Sequence, residues 1–147
     1  MPLPAARFVI VDDHPVFRQV ARELLEERGY AVAGEADSAA AAQSVVGRCR
    51  PDIVIVDVRL GDESGFDVAR ELTGSHPSLV VVLVSTDPEL NDPRRVTQSG
   101  ARAFLPKTRL ATADLVGLLR GSAGRFPGAL ATVRPWRWRP GPAGGTY

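Results

Sequence analysis

Five short apolar runs, rich in β-branched residues, recur along the chain: Phe8–Val11, Ala31–Gly34, Ile53–Val56, Leu79–Val84 and Ala103–Leu105. Three of them are almost continuously apolar, as strands buried on both faces of a parallel sheet require. Between them the apolar positions fall at helical spacing. Val16, Phe17, Val20, Ala21, Leu24 and Leu25 form one stripe, and Gly29 stops it. The alanine-rich stretch Ser38–Arg48 predicts a second helix, capped by Ser38 or Asp37. A third helix is predicted from about Ser64 to Leu72, with Gly74 just beyond. Asp92-Pro93 reads as an N-cap followed by a first-turn proline, opening a short fourth helix that ends near Gly100. The last helix is predicted over roughly Leu110 to Arg120, with Leu115, Leu118 and Leu119 inward. Strict strand–helix alternation predicts an α/β domain: a five-stranded, doubly wound parallel sheet with helices on both faces.

In such folds ligands bind beyond the carboxyl ends of the strands. Asp12 and Asp13 follow the first run, Asp57 the third, Ser85 the fourth, and Lys107 the fifth. Each has an ordinary reading alone: a helix cap, a turn residue, a loop hydroxyl, a solvated surface charge. Their convergence at four strand ends out of five is the signal. Three carboxylates brought together raise one another's pKa unless a cation neutralises them. An all-oxygen set suits Mg²⁺, and it contains none of the Cys or His ligands that zinc favours.

Composition narrows the class. The 147 residues suit one domain with a proper core. No apolar run is long enough to span a membrane, and the N-terminus lacks a signal-peptide pattern. The single cysteine, Cys49, excludes an internal disulfide framework, reads as a half-buried residue near a helix end, and fits a reducing cytoplasm. Of the 18 basic residues 17 are Arg, so the one lysine, Lys107, stands where Arg would not serve.

With those residues in view, the chain resembles a response-regulator receiver domain of the NarL/FixJ branch over about residues 6–120. The run Val9-Ile10-Val11-Asp12-Asp13-His14-Pro15-Val16-Phe17-Arg18 is similar to that family's opening. Val54–Leu60, with Gly65 eight residues past Asp57, resembles its phospho-acceptor strand and loop. Val82-Leu83-Val84-Ser85 resembles the strand bearing its hydroxyl, and Gly100–Lys107 its Gly-Ala…Lys signature. The resemblance implies a flavodoxin-like sheet of order 2-1-3-4-5 and a single-domain response regulator, with no catalysis beyond its own phosphoryl transfer and autodephosphorylation. Asp57 would accept a phosphoryl group from a sensor histidine kinase. Asp13, the Asp57 carboxylate and the Arg59 backbone carbonyl would hold Mg²⁺, with Asp12 acting through a water.

In the same reading Lys107 would pair with a phosphoryl oxygen and Ser85 would donate a hydrogen bond to it. Phe104 would then swing from exposed to buried, unless it is a plain core aromatic. The face of helix 4, strand 5 and helix 5 would change with it, docking a downstream protein or a second copy. Arg59 and Asp87 would flank the pocket and tune dephosphorylation, and His14 would be structural or weakly modulating. Gly61, where the family often has proline, and Pro106 would alter loop stiffness only.

Residues 1–120 carry 14 basic and 17 acidic side chains, whereas 121–147 carry 4 Arg and no acid. The latter stretch, with 6 Gly and 4 Pro, predicts a flexible tail following a receiver domain of residues 1–120. It is too short for the helix-turn-helix domain usual in this branch, so direct DNA binding is not expected. Arg134–Pro140 interleaves Arg with Trp, as a protein-docking, nucleic-acid or membrane-surface segment does, or as an unselected extension does by chance. A dehalogenase-like phosphatase would need a second Asp at position 59, and a nucleotide-binding fold would need a Gly-rich loop after the first strand. A pseudo-receiver, signalling by contact without phosphate, is the remaining alternative.

Overall fold

The structure is a computed structural model, and it describes residues 5–120; the tail expectation lies outside the described residues. Five strands form one parallel sheet: β1 (Arg7–Val11), β2 (Ala31–Ala36), β3 (Ile53–Asp57), β4 (Val80–Ser85) and β5 (Ala103–Pro106). Their order is β2-β1-β3-β4-β5, as the family resemblance implies. The helices are α1 (Pro15–Glu27), α2 (Ala39–Cys49), α3 (Gly65–Ser75), α4 (Pro93–Gln98) and α5 (Leu115–Arg120).

Alternate residues of each strand divide the core in two. Phe8, Ile10, Ile53, Ile55, Val82 and Val84 face α1 and α5, packing with Ala21, Leu25, Leu115 and Leu118. Val9, Val11, Val54, Val56, Val81 and Leu83 face the other way, onto α2, α3 and Val96 of α4. Every residue of β3 and β4 is buried. Both strands are apolar until their last position, where Asp57 and Ser85 stand. Polar chemistry is thus confined to one edge. No helix among the described residues is long and apolar enough to cross a membrane.

Local signals account for most boundaries. Ser38, rather than Asp37, caps α2 by accepting from Ala41 N (3.2 Å). Asp92 caps α4 through Arg94 N, with Pro93 in its first turn. Three boundaries differ from the pattern-based expectation. α3 runs on through Gly74 to Ser75 instead of ending near Leu72. β2 continues to Ala36 because the charge of Glu35 is matched by Arg18 and Arg22 of α1, at 3.1 and 2.8 Å. The last helix begins at Leu115 instead of Leu110. Lys107–Arg109 form a 3-10 turn, and Asp114 makes the real cap, accepting from Gly117 N at 2.8 Å. The intervening carbonyls of Leu110 and Ala113 are taken by the Arg28 guanidinium (2.9 and 2.7 Å), so this loop has a partner for its backbone without being helical.

Gly65 is a contact glycine. Its N–H donates to Val58 O at 2.7 Å, bringing the start of α3 against the end of β3. A Cβ there would strike the Asp57 carbonyl and lie 2.7 Å from Val58 Cα, with backbone on both sides and no side chain able to yield. Gly65→Ala is therefore expected to cost about 1–3 kcal/mol, read as a lower urea midpoint at unchanged slope. An unchanged midpoint would mean that the α3 start can move away from β3 freely.

Candidate functional site

The sheet register brings the strand-end residues together. Asp57 lies opposite Val84 of β4, and Ser85 opposite Pro106 of β5, which delivers Lys107 to the same edge. Asp12 and Asp13 emerge beside them from β1. Asp12 is fully buried, and Asp57 and Ser85 are nearly so. Lys107 Nζ lies 2.7 Å from Asp12 Oδ2 and 3.1 Å from Asp57 Oδ2, bridging the two carboxylates.

Backbone donors take the remaining oxygens in part. Asp12 Oδ1 accepts from His14 N (2.8 Å) and Asp57 Oδ1 from Arg59 N (3.1 Å). Arg59 is held in a two-residue antiparallel ladder in which Arg59 pairs with Ser64 and Leu60 with Glu63. Asp13 Oδ1 is buried and has no hydrogen-bond partner. Such an atom is costly unless something positive meets it. Burial pushes the Asp57 carboxyl above the ordinary range and the Asp12 charge adds to this, while the Arg59 N–H and Lys107 pull it down. Three carboxylates against one ammonium leave the site short of positive charge, and the donor oxygens lie within 4.8 Å of one another. That geometry fits a small hard cation.

One sequence-based expectation needs correcting. The oxygen set is not free of histidine, because His14 Nδ1 turns back to within 3.0 Å of Asp12 Oδ1, 3.3 Å of Asp13 Oδ1 and 4.0 Å of Asp57 Oδ2. His14 is the N-cap residue of α1 but makes no side-chain cap bond, so its ring reaches over the carboxylates instead. The signal was adjacency to the acidic pair, which by itself does not fix the direction of the ring.

A cavity of about 310 Å³ opens in front of Asp57. Besides Asp57 it is lined by Ser85, Thr86, Asp87, Leu90, His14, Arg59 and Lys107. Ser85 Oγ accepts from Asp87 N at 2.9 Å, which leaves its hydroxyl proton available to a ligand. The Arg59 guanidinium stands 3.9 Å from the Asp87 carboxylate across the mouth, both side chains exposed. Phe104, expected to be exposed before Ser85 moves, is 4 % exposed and packs in the core on the α3 and α4 side. Lacking a hydroxyl, it has no polar reason to stay at the rim.

Three residues near the site escaped the sequence reading. Thr86 and Leu90 sit in a loop whose fold the pattern did not predict. Phe17 was placed in the α1 core stripe, yet its ring centroid lies 4.0 Å from Lys107 Nζ.

Comparison with known proteins agrees with the fold. The family pattern described as response regulator receiver domain matches residues 8–120. The response regulator GacA of Pseudomonas viridiflava is 34 % identical over 102 residues, covering 69 % of this chain and 48 % of that protein. The chain thus spans about half the length of curated relatives it matches. The signal receiver domain of NarL from Mycobacterium tuberculosis superposes with a TM-score of 0.69 at 30 % identity, over 84 % of this chain and all of that one. A Burkholderia pseudomallei response regulator, solved with a phosphorylated aspartic acid, a calcium ion and citrate, gives a TM-score of 0.64 at 25 % identity, over 78 % of this chain and 64 % of that one. By sequence pattern, sheet order and superposition alike, this chain belongs to the response regulator receiver domain family.

Proposed function

We propose that the chain is a phosphorylation switch in which Asp57 accepts a phosphoryl group from a sensor histidine kinase. The observation that carries this reading is the placement of the buried Asp57 carboxylate, with Lys107 Nζ 3.1 Å to one side and the open cavity in front. The phosphorylated aspartate of the Burkholderia pseudomallei relative supports it. A carboxylate oxygen of Asp57 attacks phosphorus, the P–N bond of the kinase's phosphohistidine breaks, and the imidazole nitrogen keeps the electron pair. The product is an acyl phosphate on Asp57.

The transferred group is loosely bonded in the transition state, so the protein's task is to position it and oppose its charge. Lys107 is a compact point charge suited to one phosphoryl oxygen. The Ser85 hydroxyl donates to another. Mg²⁺, held by Asp13, Asp57 and the Arg59 carbonyl with Asp12 through a water, would offset the remaining negative charge. Arg59 and Asp87 at the mouth control the approach of the water that later hydrolyses the acyl phosphate. Recruitment of Ser85 by the phosphoryl group loosens its bond to Asp87 N and shifts the population of α4, β5 and α5 packings around Phe104. A downstream protein or a second copy of the chain reads that face, in the cytoplasm. The chain catalyses no turnover beyond its own phosphorylation and dephosphorylation.

Incubation with acetyl phosphate and Mg²⁺ is expected to add one phosphoryl mass to the intact protein, and none to Asp57→Asn or in the presence of chelator. Absence of the gain, beside a receiver that is labelled under the same conditions, would favour a contact-only pseudo-receiver.

The charge imbalance gives a second test. Because burial raises the Asp57 pKa, the folded protein holds that proton more tightly than the unfolded chain does. The ionised carboxylate therefore carries a folding cost, absent below the unfolded value near pH 4 and complete above the folded value. In metal-free buffer at neutral pH, Asp57→Asn is expected to raise the urea midpoint, because it removes the cost of the buried charge. The gain should disappear in urea melts taken below about pH 4. A variant less stable than the wild type at neutral pH would show that the pair with Lys107 outweighs the cost of burial.

A further inference from the structure

The Lys107 ammonium has three neighbours: Asp12 Oδ2 at 2.7 Å, Asp57 Oδ2 at 3.1 Å and the ring of Phe17, whose centroid is 4.0 Å away. We propose that Phe17 is a positioning residue for Lys107, holding the ammonium beside Asp57 through the face of its ring. The inference rests on the reading of Lys107 as the partner of the incoming phosphoryl group.

A lysine side chain has a long flexible stem, so an ordered ammonium needs contacts on several sides. The two carboxylates pull Lys107 toward the metal side of the site. An aromatic face attracts a cation through its quadrupole, most strongly where water is excluded. Lys107 is 11 % exposed, so that condition is met. The ring carries no formal charge. It restrains the ammonium without neutralising it, leaving the full positive charge for a phosphoryl oxygen. A third carboxylate at the same spot would add to the negative charge that Asp12 and Asp57 already set against it.

The ring is itself held in place. Pro15 sets the first turn of α1, and Phe17 follows Asp13 by four residues. Next to it, Arg18 donates to the Asp12 backbone carbonyl at 2.6 Å and to Glu35 at 3.1 Å, fastening the start of α1 to the ends of β1 and β2. Phe17 is partly buried and packs on the core shared by α1 and α5. The helix start, the carboxylate pair and the lysine thus form one fixed unit.

The chain's single lysine makes the contact directly measurable, because isotope-labelled lysine gives one set of ε-methylene resonances. In the wild type these should lie upfield of free lysine through the ring current of Phe17. Phe17→Leu keeps apolar packing but removes the ring face; Phe17→Tyr restores it. The Leu variant is expected to lose the upfield shift and to take up phosphate from acetyl phosphate about three- to tenfold more slowly. The Tyr variant should recover both. A loss of packing alone would not make the lysine shift and the labelling rate fall together in the Leu variant and return together in the Tyr variant. Equal lysine resonances in wild type and Phe17→Leu, or equal labelling rates, would overturn the proposal. If the wild type takes no label at all, the reading of Asp57 fails instead, and the lysine resonances then decide by themselves whether the ring holds Lys107.

Discussion

Asp12, Asp13 and Asp57 crowd one sheet edge, two of them buried, and a single ammonium stands between them. Like charges at this range would ordinarily drive protonation or unfolding. The protein instead bridges Asp12 and Asp57 with Lys107, gives Asp12 and Asp57 backbone N–H donors, and leaves Asp13 Oδ1 without a hydrogen bond, with only His14 Nδ1 near it at 3.3 Å. These side chains therefore leave the edge with more negative than positive groups and make it responsive to any new charge. Under the proposed function, the new charges are those of a phosphoryl group and a divalent ion.

The fold exists around that edge in a definite sense. Parallel β3 and β4 are wholly apolar and buried up to their final residues, so their polar side chains can appear only where the strands stop. Hydrogen bonding between the strands sets the register, and the register places Asp57, Ser85 and Lys107 together. Close approach of α3 through Gly65 fixes the backbone on the far side of Asp57. Chemistry at the edge is thus supported by packing that contains no polar groups of its own.

Regions away from the edge show the complementary arrangement. Arg18, Arg22 and Glu35 join α1 to β2, Arg28 binds the loop before α5, and the Arg102 guanidinium donates to Leu118 O at 2.5 Å. These arginines use their fork of donors to satisfy carboxylates and carbonyls at helix and loop ends. Lysine is kept for the one place where a compact, movable charge is needed. α4 is short, and the Arg95 guanidinium covers the ring of Phe66 at 4.2 Å. A small element with few attachments is the kind that can change its packing at low cost.

The sequence by itself determined the five strands, the parallel class and the strand-end residues, because fully buried strands leave an unmistakable apolar run and the next residue is the one at the edge. It also determined where the second and fourth helices start, near Ser38 or Asp37 and at Asp92-Pro93, where a cap or a proline acts within a few residues. Only the tertiary structure decided what distant groups do to one another. The extension of β2 through Glu35 depended on two arginines of α1, and the non-helical stretch after Lys107 on Arg28, some 80 residues earlier. The inward turn of His14, the burial of Phe104 and the meeting of Phe17 with Lys107 were likewise settled by side chains from separate elements. Local pattern encodes which way a backbone runs and which face it buries; the direction of a side chain at an edge depends on charges that arrive from elsewhere in the chain.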